Sequence, residues 1–120
     1  MKQLTEQQIL DNWNKLIKLI DDTFVDTDDN ERHTKLREMY DYFEDRMSVA
    51  PASGKAAYHN AMVGGYVEHV LHVTNCALKI KKLWEEDGAK INFTDEELIF
   101  AAMHHDLGKV GDLTEDYYIP

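Results

Sequence analysis

Cysteine is nearly absent from this 120-residue chain: Cys76 is the one example, so no disulfide can form within it. That excludes a small secreted scaffold held by disulfides and points to a reducing, cytoplasmic compartment. Cys76 stands between Asn75 and Ala77 on a predicted helix, which suits a small buried apolar residue rather than a nucleophile. Proline and glycine are also few, two and six residues, and nearly all of them fall where a helical pattern begins or breaks. No apolar run is long enough to span a membrane, and Met1-Lys2-Gln3-Leu4-Thr5-Glu6 lacks the apolar centre of a signal peptide. Positive charge is short as well: 13 Lys and Arg against 23 Asp and Glu give a formal net charge of -10. Such a field repels polyanions, so broad binding to nucleic acid is not expected. A small anionic substrate is still compatible, because a bound metal and one or two nearby cations set the local potential more strongly than a distant surface does.

The residues that are plentiful form a helical pattern. Thr5 followed by Gln8, with Leu4 and Ile9 as a hydrophobic staple, predicts a helix start, and Ile9, Trp13, Leu16, Ile20 and Phe24 continue it as one apolar stripe. Asp26-Thr27-Asp28-Asp29-Asn30 is a turn-forming run that offers N-caps to a second helix; it lacks the central glycine and terminal Glu of a calcium loop. That second helix is predicted from Glu31 to Met47 with Leu36, Met39, Tyr40, Phe43 and Met47 as its stripe and His33 off it, solvated. The stretch from Ser48 to Lys55 reads as a loop, and its Ser53-Gly54-Lys55 lacks the upstream glycine of a phosphate-binding loop.

From Gly65 to about Glu86 the pattern is helical and apolar on more than one side, which predicts the central and most buried helix. Gly88 suits its C-terminal cap. Thr94 with Glu97, flanked by Phe93 and Leu98, repeats the opening device and starts a fourth helix, apolar through Met103 and closing with His104, His105 and Asp106 before Gly108 and Gly111. There is no strand-like alternation, repeat or low-complexity segment, so the predicted fold is all-α, a single domain over residues 1–120.

His69 falls in the first turns of the core helix, and His105-Asp106 closes the last one. Polar groups gathered in a core must be paired. A divalent metal satisfies all three, since imidazole nitrogen and carboxylate oxygen are its ordinary ligands; a metal-free network of His69, His105, Asp106 and backbone carbonyls does so too, and spacing alone leaves both open.

Gly64-Gly65-Tyr66-Val67-Glu68-His69, followed by His105-Asp106-Leu107-Gly108-Lys109, resembles the HD-domain metal-dependent phosphohydrolases. The resemblance covers roughly Tyr58 to Val110. It implies an HD-domain-like bundle of about four to five helices, with His69, His105 and Asp106 holding one or two divalent metals: manganese, iron, nickel, cobalt, zinc or magnesium. It further implies a metal-activated water that attacks phosphorus in a nucleotide or other small phosphate mono- or diester. Asp106 and Lys109 would be nearest the chemistry, Lys109 neutralising phosphate or anchoring Asp106, with His59 and His104 as further substrate contacts. His72, one turn after His69, is expected to be exposed. The family pattern ends in a further Asp on a later helix; Asp112 and Asp116 follow the pair too closely to match it, so the expectation is a domain incomplete at its C-terminus. The alternative is a catalytically silent helical module. A homo-oligomer in which a second chain supplies the fourth ligand is compatible with the sequence.

Overall fold

The computed structural model describes residues 3–52 and 62–111, with the side chain of Lys109 excepted. Among these residues the fold is all-α, with four helices, α1 (Glu6–Thr23), α2 (Arg32–Met47), α3 (Gly65–Glu86) and α4 (Asp95–His104), then a 3-10 turn at Leu107–Val110. Two of the starts are built by neighbouring residues alone. The Gln8 amide donates to Thr5 Oγ1 at 3.1 Å and the Thr5 amide donates to Gln8 Oε1 at 2.9 Å, while Thr94 and Glu97 exchange the same pair of bonds at 3.1 and 3.0 Å.

α2 begins differently, at Arg32, because Glu31 makes no side-chain cap. Its first amides are taken by the turn before it: Asn30 Oδ1 accepts from the Arg32 amide at 3.2 Å, and Asp26 accepts from the Thr34 amide at 3.0 Å and from the Thr34 hydroxyl. The acidic run thus caps a helix. His33, expected to be solvated, is half-buried instead, its Nε2 lying 2.7 Å from Asp21 of α1.

α3 is tied to the end of α2 by backbone. The Gly64 amide donates to Val49 O at 3.0 Å and the Tyr66 amide to Ala50 O at 2.9 Å. Gly64 is left-handed, with φ of 81°, and a Cβ there would lie 2.8 Å from Ile9 Cγ1 and 3.3 Å from Leu4 Cδ1. The staple pair of α1 therefore packs on the entrance to α3, where only glycine leaves room for it.

The core gathers Trp13, Leu16, Ile20 and Phe24 from α1, Leu36, Tyr40 and Met47 from α2, Tyr66, Val67 and Val70 from α3, and Ile99 and Met103 from α4. The burial expected of α3 as the central helix is concentrated in its first half: beyond Thr74 the side chains of Ile80, Leu83 and Trp84 are exposed. Length accounts for Leu83 and Trp84 at the far end. A helix of 22 residues spans about 33 Å and one of ten about 15 Å, so α4 cannot cover α3 from end to end. Lys81 Nζ lies 2.6 Å from Asp95 at the start of α4.

Candidate metal centre

The apolar side chains Ile99, Ala102 and Met103 bury one face of α4, and α4 packs chiefly on α3. That packing carries the end of α4 to the beginning of α3. The helix itself stops at His104; His105 keeps helical angles as its C-cap, and Asp106, at φ -118° and ψ 21°, turns the chain out of the helix two residues before Gly108. The change in direction brings His105 and Asp106 beside His69, one turn into α3.

His105 Nε2 lies 3.1 Å from Asp106 Oδ2, and His69 Nε2 lies 3.7 Å from the same oxygen. The three ligand atoms all fall within 4.8 Å of one another, and the two imidazole rings stand 5.5 Å apart, centre to centre. Side-chain exposures of 22% for His69, 37% for His105 and 27% for Asp106 put the cluster at the edge of the core, with one side open to solvent.

The chemistry of the donors suits a metal. His105 Nδ1 is 2.6 Å from the carbonyl oxygen of Ala102, and because a carbonyl only accepts, that nitrogen carries the proton. Nε2 is thereby left to face Asp106 and His69, the arrangement that orients a ligating histidine. Ligand atoms sharing one ion at bonds of about 2.0–2.2 Å stand about 3–3.5 Å apart. The His105–Asp106 separation of 3.1 Å falls within that range and the His69–Asp106 separation of 3.7 Å lies just beyond it. A carboxylate and lone-pair nitrogens at such separations need a cation between them, either a proton on one ring or a metal ion.

The two other predicted histidines of these helices lie elsewhere. His104 faces the bundle, where its Nδ1 donates to Phe100 O at 2.6 Å and its Nε2 stands 3.0 Å from the Tyr40 hydroxyl. Burial pushes its pKa below the usual histidine value, partly offset by the bond to Phe100. It is next to the cluster in sequence and remote from it in contact. His72 is exposed, with Nε2 at 3.7 Å from the half-buried Cys76 sulfur, and it does not join the cluster. His59, Asp112, Asp116 and the side chain of Lys109 lie outside the described residues.

One residue close in sequence to His69 has no signal that separates it from a core filler. Tyr66, three positions before His69, is 1% exposed, and its hydroxyl has no hydrogen-bond partner among the described residues. Burial, and then the charge of Asp106, push its pKa well above the ordinary tyrosine value.

No protein-family model, curated protein or solved structure matches this chain.

Proposed function

We propose that the chain is a metal-dependent phosphohydrolase of the HD type, acting on a nucleotide or other small phosphate ester. The observation that carries this reading is the convergence of one ligand atom each from His69 in α3 and from His105 and Asp106 of the His-Asp-x-Gly-Lys stretch at the end of α4, all within 4.8 Å of one another. A divalent ion held by those three residues supplies a polarised water at neutral pH and positive charge for the phosphoryl oxygens. Two imidazoles and one carboxylate suit a borderline ion such as manganese, iron, cobalt, nickel or zinc better than magnesium.

The chain's own residues do the positioning. Ala102 O fixes the His105 ring through Nδ1, and Asp106 is shared by both histidines. His104, held by Tyr40 and Phe100, anchors the turn from which His105 and Asp106 project. Lys109 follows Asp106 by three residues in the 3-10 turn and is assigned the phosphate, with His59 as a further substrate contact. The strongly negative overall charge favours a small ester over a nucleic acid. A second reading, in which the metal only clamps α3 to α4, draws on the same cross-helix placement of the ligands.

One experiment separates these. Manganese binding is measured by calorimetry for the wild-type chain and for the His105→Ala, Asp106→Ala double variant, followed by phosphate release from a panel of nucleotides and phosphodiesters. Loss of an orienting neighbour costs about 10–100-fold in metal affinity, so loss of two ligands is expected to cost more than that. Binding together with turnover, both lost in the variant, supports the hydrolase; binding without turnover supports the clamp. Equal manganese affinity in the two proteins would overturn both.

A further inference from the structure

Resting on that reading, we propose that the Tyr66 hydroxyl donates a hydrogen bond to a phosphoryl oxygen bound at the His69, His105 and Asp106 cluster, which makes Tyr66 part of the phosphate-recognition machinery.

Tyr66 is among the largest fully buried side chains of the chain, and a phenol of that depth normally hands its proton to a protein acceptor. Here none is within reach among the described residues. The nearby Tyr40 hydroxyl does not fill the role. Since Nδ1 of His104 is committed as a donor to Phe100 O, its Nε2 accepts, and the Tyr40 proton goes there. Tyr40 and Tyr66 are close enough to act on each other electrostatically, yet no hydrogen bond joins them. Asp106, a member of the cluster, also acts on the Tyr66 hydroxyl electrostatically.

The helix supplies the register. Tyr66 and His69 are three residues apart in α3, a spacing that sets side chains next to each other on one face. The Tyr66 amide is fixed to Ala50 O at 2.9 Å, and the left-handed Gly64 fixes the helix entrance, so the ring is held by backbone on both sides of the turn. A rigid donor beside a metal-ligating cluster matches an oxygen anion that arrives there. Burial keeps the phenol protonated across the whole neutral range, so it acts as a donor at every working pH and never as a competing anion. Leaving such a donor unpaired is costly in a resting core, and the oxygen of a bound phosphate is the acceptor that this site would be expected to recruit.

The test uses inorganic phosphate as the probe. Manganese affinity, and then phosphate affinity at saturating manganese, are measured by calorimetry for the wild-type chain, for Tyr66→Phe and for Tyr66→Met; urea denaturation of each gives the folded fraction. Both variants are expected to bind manganese within about twofold of wild type and phosphate about tenfold more weakly, as loss of one hydrogen bond to a charged group predicts. A merely structural tyrosine does not separate the two affinities. Unchanged phosphate affinity in both variants, with manganese binding intact, overturns this inference and leaves the metal site standing. Manganese binding without any phosphate binding by the wild-type chain overturns it as well. Failure of the wild-type chain to bind manganese overturns the site and the inference together.

Discussion

The Tyr40 hydroxyl and His104 Nε2 lie 3.0 Å apart, joining the middle of α2 to the last residue of α4. Tyr40 is 1% exposed, its ring tilts against Trp13 at a centroid distance of 6.1 Å, and the His104 ring stands 4.5 Å from Phe100. A polar bridge inside an aromatic group thus holds the end of the helix from which His105 and Asp106 project. Because His104 Nε2 accepts from Tyr40, removing the hydroxyl leaves a half-buried nitrogen without its donor. Tyr40→Phe is expected to destabilise the fold by about 1–3 kcal/mol in urea denaturation. In a His104→Phe background the same change should cost much less, since the two residues act as a pair.

Gly64 and Gly88 separate backbone strain from crowding. Both have positive φ, 81° and 93°, but a Cβ at Gly64 meets Ile9 at 2.8 Å whereas nothing lies within 4 Å of one at Gly88. Gly88→Ala is expected to cost about 1–2 kcal/mol from the left-handed backbone alone. Gly64→Ala should cost about 1–3 kcal/mol more, because Ile9 must be displaced from a packed position. Thermal or urea midpoints of the two variants measure the difference, and equal losses would show that Ile9 moves aside freely.

The two tryptophans should respond in opposite ways. Trp13 is 4% exposed and Trp84 58%. Trp13→Ala is expected to lose about 3–5 kcal/mol, as a large side chain removed from a core does. Trp84→Ala should stay within about 0.5 kcal/mol of wild type, as surface changes do. A large loss at Trp84 in dilute solution would mean that the far half of α3 is covered by something.

Asp21 carries an acid-dependent share of stability. The bond from His33 and then the Arg37 guanidinium, 2.7 and 2.9 Å away, hold its carboxyl below the ordinary 3.8. A carboxyl whose folded pKa is depressed stabilises the fold fully above its unfolded value and loses that contribution as pH falls through the folded one. The stability gap between wild type and Asp21→Asn should therefore be present at about pH 5 and close toward about pH 2, in urea midpoints taken at each pH. Solvent exposure keeps that gap small.

Much of this architecture depends on interactions a few residues apart in the chain. The capping pairs Thr5 with Gln8 and Thr94 with Glu97 close between neighbours, and the stripe of Trp13, Leu16, Ile20 and Phe24 follows from helical periodicity, so residue type and spacing sufficed to locate those helices and the all-α class. The residues His69, His105 and Asp106 stood out for a related reason: polar groups at the ends of apolar helices must converge on something. Tertiary packing decided what periodicity cannot express. His104 and His105 both keep helical angles, so their side chains diverge by about 100°, and packing decided that His104 meets Tyr40 while His105 meets Asp106. His33 found Asp21 across a helix interface, and Leu83 and Trp84 stayed exposed because α3 outruns the helix beside it. Tyr66 is the sharpest case. Its ring fits the apolar pattern, and only the tertiary structure shows that its hydroxyl has no acceptor among the described residues, since hydrogen bonding depends on atoms brought together from several helices, while a stripe depends on one.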